Sequence, residues 1–78
     1  METSRGRYAT NNLALAATLA LWHPLKEVEK GSSKRVTFVF KRSSALDTDI
    51  ERFFNRELSV EPNEYYQQLQ VLKARIYE

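Results

Sequence analysis

The chain has 78 residues, enough for one domain with a small core, and 42% of them are apolar and 28% charged, the balance of a globular protein rather than a disordered one. It contains no cysteine and one histidine. That excludes a disulfide framework, a thiolate zinc site, an iron–sulfur cluster and a cysteine nucleophile. We therefore expect no cofactor, no metal site and no catalytic residue, and a binding role rather than an enzyme.

Residues 1–9 are polar, with Gly6 and the arginines Arg5 and Arg7, and read as a flexible N-terminal arm ahead of one compact domain over residues 10–78. Thr10, Asn11 and Asn12 offer N-cap side chains to the run Leu13 to Leu21, and His23-Pro24 stops that helix because the residue before proline avoids the helical region. This first helix is apolar on nearly every side, so every side asks for cover. It is expected at the centre of the domain or at a seam with a second copy of the chain.

Leu25 to Lys30, Gly31-Ser32-Ser33 and Lys34 to Arg42 read as a β-hairpin. Its second strand alternates, with Val36, Phe38 and Phe40 on one face and Arg35, Thr37, Val39 and Lys41 on the other. A second helix opens with Ser44 as N-cap and Asp47 three residues on, and buries Leu46, Ile50, Phe53, Phe54 and Leu58. Val60-Glu61-Pro62 starts a third, with proline at its first position and an apolar line of Tyr65, Leu69, Leu72 and Ile76. The expected fold is α+β in the order α-β-β-α-α, a two-stranded antiparallel hairpin packed by three helices.

Several of these segments, taken in order, carry a family resemblance. They are the alanine- and leucine-rich helix ending in Trp22-His23-Pro24-Leu25, the strand Arg35 to Phe40, and Arg52-Phe53-Phe54-Asn55. Val60 to Tyr66 and the closing Leu72 to Tyr77 complete the set. In that order and spacing, over residues 8–77, the chain resembles a small prokaryotic and phage family of unknown function, DUF5659. The resemblance implies a single compact domain and a phage or mobile-element setting. It assigns no activity and no site.

Charge is unevenly spread. Lys26, Lys30, Lys34, Arg35, Lys41 and Arg42 face only Glu27 and Glu29 over residues 26–42, whereas residues 43–78 carry an acidic excess. A basic ribbon can enter a major groove or follow a phosphate backbone, so Lys30, Lys34, Arg35, Lys41 and Arg42 are the nucleic-acid-binding candidates, aided by Arg5 and Arg7. The competing reading is that these charges keep an exposed strand from pairing edge to edge. Arg35 to Phe40 faintly resembles the aromatic strand of RNA-recognition modules, but Phe38 and Phe40 share a face with Val36, which is how a core face looks.

A second reading is a homodimeric protein-interaction module, an adaptor or an inhibitor of a partner protein, with Leu15, Leu19, Trp22, Tyr66 and Tyr77 at the interface. Asp47 and Glu51 share a helix face but lie in the first turns, where acids complement the helix dipole. His23 reads as a cap at the end of the first helix rather than a metal ligand. Neither a small-molecule substrate nor a membrane partner is implied. The apolar run from Leu13 to Trp22 is far shorter than the roughly 20 residues of a membrane span, and Trp22-His23-Pro24 is a poor signal cleavage site. A cytoplasmic location is expected.

Overall fold

In the computed structural model, which describes residues 6–31 and 36–77, six elements follow one another. They are β1 (Arg7–Thr10), α1 (Leu13–Ala20), β2 (Leu25–Lys30), β3 (Val36–Lys41), α2 (Ser44–Phe54) and α3 (Pro62–Ile76). The class is α+β with three helices, as expected. The sheet, however, has three strands in the order β1-β3-β2, both pairs antiparallel, so the two-stranded hairpin and the α-β-β-α-α order are corrected. The added strand takes residues 7–9 from the stretch read as an arm. Tyr8 lies opposite Phe40 and Thr10 opposite Phe38.

Local chemistry sets the helix ends. Asn12 caps α1, its Oδ1 accepting from the Leu15 N–H at 3.0 Å. The α2 cap is Ser43, whose Oγ accepts from the Leu46 N–H at 3.1 Å, rather than Ser44. Asp47 therefore sits one position deeper than the N3 acid it was read as. Glu61 caps α3 through the Glu64 N–H, with Pro62 at the first helical position.

Residues Leu15 to Leu19 are all buried. Five consecutive helical residues sweep more than a full turn, so α1 is covered on every side. The sheet face of Phe38 and Phe40, with Leu46 of α2 and Leu72 of α3, completes the core around it. The chain thus covers its own apolar helix, and no dimer seam is needed to do so. The one polar member, Thr18, donates from Oγ1 to the Ala14 carbonyl at 2.9 Å and leaves no hydroxyl unsatisfied. Fully burying each of the large side chains contributes about 1.5–3 kcal/mol.

A register shift between Leu25 and Glu27 resets the alternation of β2. Leu25 and Val28, three apart, both reach the core face, while Glu27 and Glu29 stand on the outer face. Without the bulge, Glu27 would point at the core.

The end of α2 is a left-handed cap. Arg56 has φ 60°, its N–H donates to the Phe53 carbonyl at 3.1 Å, and the Glu57 N–H donates to the Arg52 carbonyl at 2.9 Å. This is the Schellman pattern, in which glycine is the preferred residue because a Cβ strains the left-handed conformation. Arg56→Gly is expected to raise stability by about 1 kcal/mol and the melting temperature by about 4–8 °C. A thermal unfolding scan of the two proteins tests this; an unchanged or lowered melting temperature contradicts it.

Candidate functional site

Among the described residues, the outer face of the sheet carries charges of both signs. Arg7, opposite Lys41 on β1, sends its guanidinium across the central strand to β2, where Nη2 lies 2.8 Å from Glu29 Oε2 and 3.2 Å from Glu27 Oε2. Val39 is fully buried on this face, between its register neighbours Ala9 and Glu27. Arg42, at the end of β3, pairs through Nε with Asp47 Oδ1 at 3.0 Å and lies 5.6 Å from the centroid of the Tyr8 ring. Lys30 stands opposite Val36, five residues along β3 from Lys41, so these two exposed lysines are separated by about 17 Å of strand. Lys34, Arg35 and Arg5 lie outside the described residues. Of the described candidates, Lys41 and Arg42 are adjacent at one end of β3, and Lys30 lies beside its other end.

The two glutamates titrate as a pair. The hydrogen bond with Glu29 pushes the Glu27 carboxyl above its ordinary value of 4.5. The same bond, with that from Arg7, pulls Glu29 below it. The stabilisation from Glu29 is present above its unfolded value and lost as the pH falls through the lowered one. The contribution of Glu27 has the opposite sign: it is present below the unfolded value and lost as the pH rises through the raised one. A carboxyl-carbon NMR titration is expected to find Glu27 protonating at higher pH than Glu29, and Arg7→Met to move both titrations upward. Identical titrations would show that the hydrogen bond between the glutamates does not form, and no effect of the variant would show the same of the Arg7 bridge.

Of the interface candidates, Leu15 and Leu19 are 0% exposed and belong to the core, so they are removed. The exposed ones are Trp22 at 48%, Tyr66 at 59% and Tyr77 at 84%. Tyr66 and Tyr77 are three helical turns apart on one side of α3. Phe54 was read as part of the buried stripe of α2 but is 60% exposed, its ring edge-on to Phe53 at 5.2 Å.

Trp22 has the richest surroundings. Past α1 the N–H groups of Trp22 and His23 both bond to the Leu19 carbonyl, which turns the chain and swings the indole outward. The imidazole of His23 reaches α2, where Nε2 lies 2.7 Å from Asp49 Oδ2 with both side chains mostly buried. Its role is to tie the end of α1 to α2, beyond the helix cap it was read as. The left-handed turn at Arg56 then brings the α2–α3 linker back beside Trp22, and Arg52 holds that linker by donating from Nη2 to the Glu57 carbonyl at 3.3 Å. The result is an open cleft of about 350 Å³ lined by Trp22, Asp49, Arg52, Glu57, Leu58 and Ser59. A second cleft of about 360 Å³ lies on the other side of Leu58, against Phe53, Val60 and Tyr65. Sequence reasoning missed both, because the linker carries no motif and its path depends on one positive φ.

A family model described as Domain of unknown function (DUF5659) matches residues 5–78. The chain belongs to this family. No curated protein and no solved structure matches it significantly. Among the described residues of this DUF5659 member, no group of three or more histidine, aspartate or glutamate side chains is arranged to hold a metal ion, and no helix is long and apolar enough to cross a membrane.

His23→Ala is expected to cost about 1.5–3 kcal/mol, since it leaves the Asp49 carboxylate without its charge-assisted partner. Urea denaturation measures this; a loss below 0.5 kcal/mol, roughly the scatter of neutral surface substitutions, would show that the contact does not hold the two helices.

Proposed function

We propose that this protein is a non-catalytic protein-interaction module whose working surface is the cleft beside Trp22. The observation that carries the reading is a half-exposed tryptophan beside an arginine and a leucine in a concave site. Tryptophan and arginine dominate the energetics of protein interfaces, and a concave surround lets a partner side chain lose its water. A polypeptide segment suits the cleft: an apolar side chain against Trp22 and Leu58, with its backbone and polar groups answered by Arg52, Ser59, Asp49 and Glu57. The exposed Phe54, Tyr66 and Tyr77 add apolar area elsewhere on the surface.

The nucleic-acid reading has less support. Among its described charges, Arg7 and Arg42 sit in ion pairs, so a phosphate would have to compete with Glu29 for Arg7 and with Asp47 for Arg42.

Trp22 is the only tryptophan, so its fluorescence reports directly on the cleft. A partner captured on the immobilised protein, purified and titrated back, is expected to shift the emission to the blue. Trp22→Ala and Arg52→Ala should each weaken that partner by about thirtyfold, with little response to salt. Equal binding by wild type and Trp22→Ala would overturn the cleft. Binding of duplex DNA or RNA that collapses with salt and with charge reversal at Lys30 and Lys41 would replace this reading with the nucleic-acid one.

A further inference from the structure

The free edge of β1 is unlike the free edge of β2. The Arg42 N–H donates to the Gly6 carbonyl at 3.0 Å, which fixes the phase of the β1–β3 ladder. Gly6, Tyr8 and Thr10 are the residues whose N–H and C=O face β3. Arg7 and Ala9 therefore turn their N–H and C=O outward, away from the sheet, and both residues are exposed. No described residue hydrogen-bonds to these groups.

Proteins guard such an edge with bulges, prolines and charges. β2 has two of these: a bulge at Lys26 and the charged side chains of Lys26, Glu27, Glu29 and Lys30. β1 has neither bulge nor proline, and its one charge is drawn inward, since the Arg7 guanidinium crosses the sheet to Glu27 and Glu29. What remains on the outer face of the edge is the backbone and the methyl group of Ala9, while Tyr8 and Thr10 are half-buried on the other face.

We infer that β1 pairs with β1 of a second copy of this chain, antiparallel about a twofold axis at Tyr8. In that register Arg7 lies opposite the partner's Ala9 and Ala9 opposite the partner's Arg7, each pair exchanging both N–H···O bonds, so that every outward group of the edge is used. The register is its own complement, as an isologous contact requires. Each Arg7 faces an alanine rather than the other Arg7 and is turned toward its own glutamates. Arg42, 5.6 Å from the Tyr8 ring beside the axis, is paired with Asp47, so the like charges nearest the seam are each balanced within their own chain. Two three-stranded sheets become one of six strands. The pairing is independent of the Trp22 cleft and uses none of its residues. Because the strands are only four residues long, the contact sits at the small end of specific interfaces, and the dimer forms in a concentration-dependent manner.

Sedimentation velocity from low micromolar to near-millimolar protein is expected to show monomer passing to dimer. Ala9→Pro removes an outward N–H and places a ring at the seam without touching a β1–β3 hydrogen bond, so it should weaken dimerisation at least about tenfold while the far-UV circular dichroism is unchanged. The chain has no cysteine, so single cysteines give a clean second reading. Tyr8→Cys faces its own copy at the axis and should form a disulfide-linked dimer on mild oxidation, whereas Ala9→Cys residues lie diagonally across the seam, further apart than a disulfide spans. A protein that stays monomeric throughout overturns the proposal. A folded Ala9→Pro that dimerises as well as wild type overturns the edge, and faster cross-linking through position 9 than through position 8 overturns the register. Should Ala9→Pro fail to fold, the two cysteine variants decide.

Discussion

The apolar helix α1 is the constraint around which the rest of the domain is arranged. A helix whose middle residues are all buried cannot lie on a surface, and a chain of this length has little material with which to surround it. The sheet supplies Phe38 and Phe40, α2 supplies Leu46, and α3 supplies Leu72 and the half-buried Tyr65, Leu69 and Ile76. This allocation leaves only one layer on each side of the core. Phe54 and Tyr77 lie outside this core and remain at the surface. The exposed aromatics are thus the remainder of a small core's geometry.

Electrostatics follow a similar division. The sequence polarises charge between the hairpin and the last two helices, but folding brings opposite charges together at short range. Arg7 is held by β2 glutamates, Arg42 reaches Asp47 on the next helix, and His23 reaches Asp49. Exposed pairs such as the first two contribute little stability. Their larger effect is to fix where long side chains lie, and so to decide which surfaces stay charged. The His23–Asp49 contact, mostly shielded from solvent, also fixes the wall of the Trp22 cleft.

Much of this was legible in the residues. The alternation of Val36, Phe38 and Phe40, the cap chemistry before α1 and α3, the stop at Pro24 and the apolar line of α3 are local signals, and all correspond to observed features. What was not legible depends on distant partners. Arg-Tyr-Ala-Thr is too short to announce a strand, and its ladder partners lie 28 to 34 residues on, beyond a helix and the first strand of the hairpin. The bulge in β2 hides the inward pairing of Leu25 with Val28, because simple alternation would put Glu27 inside. Leu15 and Leu19 looked available because an all-apolar helix asks for cover on every side; the residues of α2, α3 and the sheet that supply it are not visible from α1 alone. The cleft beside Trp22 requires a left-handed arginine, which no propensity rule anticipates.

The position of β1 has a consequence for the order in which the fold assembles and loosens. β2 and β3 are neighbours in the chain and close a short loop, whereas β1 reaches β3 only after α1 and β2 have been laid down between them. Its four residues therefore return few contacts for a large closure cost, which makes β1 the last strand to dock and the first to leave. Its departure would break the Arg7 bridge, wet the buried Val39 and turn the central strand into an edge. Amide protons on the β1 side of β3 are thereby tied to the lifetime of a four-residue strand rather than to that of the core beneath them.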